Sequence, residues 1–130
     1  MSSQPFLSTM DLAMFFADYH DGITDDLLSF AAQWSPRDYS DDWLATRDAV
    51  SQLSQHGMSR LCIPERYQGR AVNNPVDIDA RAITLARECL GYLDGLLDCA
   101  FAMQGLGKLP HLMGRLRRSK KSLFTRLHYR

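Results

Sequence analysis

No aspartate or glutamate occurs after Asp98. Residues 99–130 hold eight Lys and Arg, while residues 1–98 hold all fifteen acids against seven cations. The zero formal charge at pH 7 therefore conceals a −8 part and a +8 part. This split points first to two surfaces that meet each other or a partner, and second to a basic interaction tail. Long apolar runs are missing as well, and none approaches the roughly 18 residues of a spanning helix. The opening MSSQPFLSTMDLAMFF lacks the basic start of a signal peptide and is broken by Asp11. Cysteine is scarce: Cys62, Cys89 and Cys99 cannot all pair and form no CxxC. That usage points to reduced, partly buried thiols in a cytoplasmic protein.

Chemistry-bearing patterns are equally thin. The four histidines are scattered, with no i, i+4 pair and no cysteine at zinc-finger spacing, so no metal site is expected. There is no GxSxG and no cysteine with an evident histidine partner. GLGK at 105–108 has neither P-loop nor Rossmann spacing and reads as a helix terminus. The pairs Asp25/Asp26, Asp41/Asp42 and Asp77/Asp79 fall where helices are expected to start, and compensation of the helix dipole accounts for them. No catalytic residue emerges.

What is present is helical periodicity. The 130 residues suit one domain, and 45% hydrophobic residues suffice for a core. Residues 1–10 are expected to be a flexible N-terminus. Ser8 or Thr9 is expected to cap a first helix carrying Leu12, Phe15, Phe16 and Tyr19, ended by His20-Asp21-Gly22. Thr24 then caps a helix with Leu27, Phe30, Ala31 and Trp34 on one side, closed by Pro36. Ser40 opens the next, with Trp43, Leu44, Val50 and Leu53 sharing a face and Gly57 just past its end. A long loop follows at about 57–75, with an extended piece at Leu61 to Ile63, because Pro64 disfavours helix before it. From Pro75, the stripe Val76, Ala80, Ile83, Ala86, Leu90 predicts another helix, broken or bent at Gly91. A further helix follows over Tyr92 to Leu106. After Pro110 comes a basic amphipathic helix at about 115–130, with seven Lys and Arg beside Leu116, Leu123, Phe124 and Leu127. Packing of that stripe on the bundle or a neighbour is favoured over a membrane or nucleic-acid contact. No strand alternation and no repeat of about 20–50 residues occurs. The expected class is all-α, a bundle of five to six short helices.

One stretch is distinctive. Gly57 is followed, seven residues on, by Pro64, then Glu65, Arg66, Tyr67, Gln68 and Gly69. Ala86-Arg87-Glu88-Cys89-Leu90 and Leu106-Gly107-Lys108-Leu109-Pro110 follow in order, then Ser119-Lys120-Lys121-Ser122-Leu123-Phe124. This succession resembles the N-terminal helical domain of the acyl-CoA dehydrogenase family. There, PExYGG follows a helix-ending glycine, and an Glu-Glu-Leu segment, LGxxP and EQKxxYLP come after. Gln68 stands where the family has a glycine, and Ala71 where another is common. The resemblance covers about residues 20–127 and residues 11–130 are expected to form that domain.

The resemblance implies a flavoprotein lineage, in which flavin adenine dinucleotide and a glutamate base dehydrogenate acyl-CoA thioesters at the 2,3 position. It places the family's β domain after about Arg130, so flavin site and base are expected outside these residues, and the domain alone is expected to be inactive. Its implied partners are acyl-CoA, the missing β and C-terminal domains, or a second copy. Its implied role is one wall of the acyl pocket, for which Asp98 and Ala102, one turn apart, are candidates with Phe101 and Met103 beside them. Asp98 would suit a polar or short acyl group. The rival expectation is a non-catalytic helical interaction module.

Overall fold

The computed structural model of the protein describes residues 6–71 and 78–107. It is an all-α bundle of short helices, with no strand among the described residues. Pro75, Val76, Asp77, Pro110 and the basic helix expected at 115–130 lie outside them.

The first difference from expectation lies at the N-terminus. Residues 6–10 are anchored: Leu7 is 1% exposed, Phe6 stacks on Tyr92 at 4.3 Å, and Thr9 Oγ1 donates to Asp21 at 2.6 Å. The helix expected to end at Gly22 is only a 3₁₀ turn, Met10–Leu12. Helix α1 instead begins where that one was to stop, spanning Tyr19–Gln33, and Thr24 is a buried residue within it. A long-range tether explains the start. Tyr19 Oη donates to Asp79, and His20 Nε2 lies 3.0 Å from the same carboxylate, so the first turn of α1 is fixed to a residue about 60 positions away. Ile23, Leu27 and Phe30 form its buried face, at i, i+4 and i+7. Past Gln33 the chain turns extended at Trp34, two residues before Pro36.

Helix α2 spans Asp42–Gln55 and is capped by Asp41, one residue later than expected, whose Oδ1 accepts the Leu44 N–H at 2.9 Å. Its inner face is Ala45, Ala49 and Leu53, with Val50 half-buried. Trp43 (73% exposed) and Leu44 face outward, against expectation. Arg37, from the segment before α2, donates to the Ala45 carbonyl at 3.2 Å.

Gly57, at φ 69°, ends α2 in the left-handed conformation its position requires. The loop beyond it is built of two 3₁₀ turns, Met58–Cys62 and Glu65–Tyr67. Of the expected extended piece only Ile63 is extended, at φ −127° and ψ 129°. Leu61 and Cys62 stay helical and bury their side chains against α3 and the core.

Helix α3, Ala80–Leu93, is capped by Asp79, which accepts the Arg81 N–H at 2.9 Å. Its buried face is Ala82, Leu85, Ala86, Cys89 and Leu90, so the expected stripe is right at 86 and 90, while Ala80 is exposed and Ile83 half-buried. Gly91 does not break it. The break is at Asp94, after which residues 95–107 are helical and are called α4. Helices α1 and α3 pack together, and Cys89 Sγ donates to the Leu27 carbonyl at 3.6 Å. Burial, with Glu88 beside it, pushes the Cys89 thiol up to about 11, so it is an inert core residue.

Candidate functional site

An apolar groove of about 410 Å³ runs between α3 and α4. Ile83 and Arg87, one turn apart on α3, form one wall, and Phe101, Ala102, Gly105 and Leu106 of α4 form the other. Cys62 and Ile78 complete the lining. The α4 residues follow i, i+1, i+4, i+5, which places them on one helical face. Phe101 is fully buried and forms the floor, while Leu106 is exposed at the rim. Gly105 sets the width at one end. A Cβ there would lie 3.2 Å from Cys62 Sγ, so glycine lets the Met58–Cys62 turn approach α4.

Of the four residues singled out from sequence, Phe101 and Ala102 line this groove. Met103 is 65% exposed and does not. Asp98 is half-buried and turned to Arg87, which donates Nε to Oδ1 and a terminal nitrogen to Oδ2, both at 2.8 Å. These bonds hold the Asp98 carboxyl below its ordinary range and raise the Arg87 guanidinium. Arg87, Ile83 and Leu106 were not singled out. The available signal was the i, i+4 pair on α3 facing the helix that carries Phe101 and Ala102.

Two other constellations resemble sites and are structural. Tyr19, His20, Asp79 and Arg81 look like an acid–base relay. However, His20 is 0% exposed, and both ring nitrogens are engaged, Nδ1 with the Ala17 backbone at 2.9–3.1 Å and Nε2 with Asp79 at 3.0 Å. Neither nitrogen is open to a substrate from solvent. Desolvation opposes ionisation of Asp79, but bonds from Arg81 and Tyr19 prevail and hold its carboxyl well below the usual range. The larger polar cavity of about 540 Å³ lies at the Gly57–Ala71 loop. Its two arginines are engaged, Arg60 with the Gln68 carbonyl at 3.0 Å and Arg70 with Asp26 at 2.6 Å.

Among the described residues no group of three or more His, Cys, Asp or Glu could hold a metal ion. No helix among them is long and apolar enough to cross a membrane. The one cation lining the groove, Arg87, is paired with Asp98. No protein-family model, curated protein or solved structure matches the chain.

Proposed function

We propose that the chain is an acyl-CoA dehydrogenase-like N-terminal helical domain whose α3–α4 groove forms one wall of an acyl-binding site. The observation that supports it is the apolar groove lined by Phe101 and Ala102, residues on the helix that the resemblance points to. The PERYQG turn adds support, since Gln68 takes φ 68° at the position where the family has a glycine. In this reading the flavin adenine dinucleotide and the base belong to other domains, and these residues bind and orient the acyl chain without turning it over.

The test is chain length. Acyl-CoA thioesters of six to twelve carbons are titrated into the protein by calorimetry. Each CH₂ that enters the groove strengthens binding by about 0.8 kcal/mol, close to fourfold in Kd. Ala102→Trp, which fills the groove, removes that dependence. Affinity that ignores chain length sinks the reading.

A second reading is a non-catalytic interaction module. Trp43, Leu44 and Tyr39 are exposed near the start of α2 and favour it, because exposed aromatics are enriched at interfaces. Trp43→Ser would then disperse an oligomer or complex seen by sedimentation, and an unchanged sedimentation profile counts against it.

A further inference from the structure

The groove has one charged side chain, and its chemistry narrows what can lie there. The guanidinium of Arg87 carries five N–H donors, of which the bidentate contact with Asp98 uses two. Three donors remain, on a side chain that is about half exposed at the edge of a cavity otherwise walled by Ile78, Ile83, Phe101, Ala102 and Leu106. A neutral aliphatic ligand would leave those donors to water. A carboxylate would accept them in charge-assisted bonds. Asp98 competes for the same cation, but it also fixes the guanidinium before the ligand arrives, which reduces the ordering cost of binding.

We propose that the groove takes an aliphatic chain ending in a carboxylate, with the carboxylate on Arg87 and the chain along Phe101 and Ala102. The proposal rests on the same groove as the acyl reading, and adds the anionic end and the residue that selects it. The carboxylate has two sources: a free fatty acid, or the far end of a dicarboxylic acid held as its mono-thioester.

The experiment titrates the full chain with carboxyl-¹³C-labelled decanoate by NMR, beside decanol, decanoyl-CoA and the mono-CoA thioester of decanedioate. Decanoate binds about tenfold or more tighter than decanol, with a shifted carboxyl resonance. Arg87→Gln abolishes the preference. Asp98→Asn frees the guanidinium and tightens decanoate severalfold while leaving decanol unchanged. Ala102→Trp weakens both. If the mono-thioester outbinds decanoyl-CoA, the carboxylate is the far end of an acyl group; if only decanoate shows the preference, it is a free acid. Either result supports the proposal. Equal affinity for decanoate and decanol overturns it, as does a preference that survives Arg87→Gln or binding of neither. Length-dependent acyl-CoA binding without an acid preference would leave the acyl reading standing and the proposal overturned. An acid preference without acyl-CoA binding would do the reverse.

Discussion

Gln68 and Gly69 sit side by side and make opposite demands. Gln68 is the sole non-glycine residue with positive φ among the described residues, at 68°. A side chain there costs about 1 kcal/mol relative to a residue without a Cβ. Gly69 is a steric necessity: an added Cβ would lie 1.7 Å from the Ile63 carbonyl oxygen and 2.8 Å from that of Pro64. The turn is closed by the Gly69 N–H on Pro64 and the Arg70 N–H on the Arg60 carbonyl, so neither backbone can move aside without losing bonds. Gln68→Gly is therefore expected to be neutral or to stabilise by up to about 1 kcal/mol. Gly69→Ala is expected to destabilise by roughly 3 kcal/mol or more. Chemical denaturation of the two variants checks both signs. A clear loss in Gln68→Gly would mean that the glutamine side chain holds the turn.

At the scale of elements, the joint between α3 and α4 is one residue, Asp94. Its carboxylate accepts the Leu96 N–H at 2.8 Å, the Arg37 Nε at 3.0 Å and the Tyr39 hydroxyl. It thus caps α4 while pinning the segment between α1 and α2. The Arg37 side chain is only 4% exposed, and its second terminal nitrogen has no partner. Asp94→Ala would strip the buried half of that guanidinium's pairing and leave Asp48, which is largely exposed. The expected cost is about 3–5 kcal/mol. Arg37→Met in the Asp94→Ala background is expected to recover part of it, since the uncompensated charge is gone. Equilibrium unfolding of the single and double variants measures the coupling, and additive losses would refute it.

That joint also marks where sequence reading fell short. The helical class, the Gly57 terminus and the presence of helices α2 and α3 follow from local spacing and end signals, whereas Phe101 and Ala102 come only from the family resemblance. The start of α1 does not, because it depends on Asp79, distant in sequence. Trp43 and Leu44 face outward because the buried side of α2 is formed by Ala45, Ala49 and Leu53, and the large side chains alone do not mark it. The low helix propensity of Gly91 predicts a break there, but the capping and pairing of Asp94 set the boundary. Arg87 was legible only as one half of a cross-helix pair.

For the molecule as a whole, acid is the condition to which the fold is most exposed. Burial resists ionisation of Asp79 and Asp94, but donated hydrogen bonds outweigh it and depress both. Arg87 depresses Asp98, and the Ser40 N–H depresses Asp38 at the surface. Each binds fewer protons folded than unfolded, where an aspartate titrates near about 3.9. Their stabilisation is therefore complete above about pH 5 and lost as the pH falls through their lower folded-state values. Tm is expected to hold between about pH 7 and 5 and to drop below about pH 4. Asp79→Asn is expected to lower Tm at neutral pH and flatten the acid limb. A melting series across pH reads both, and an acid limb unchanged in the variant would remove Asp79 from the account.

The two tryptophans make such measurements possible without a label. Trp34 is half-buried with its indole N–H out of contact with solvent, while Trp43 stands nearly free. Iodide will quench the emission of Trp43 and largely spare that of Trp34. What survives the quencher is an optical signal from the far end of α1, and its shift to longer wavelength reports when that end opens.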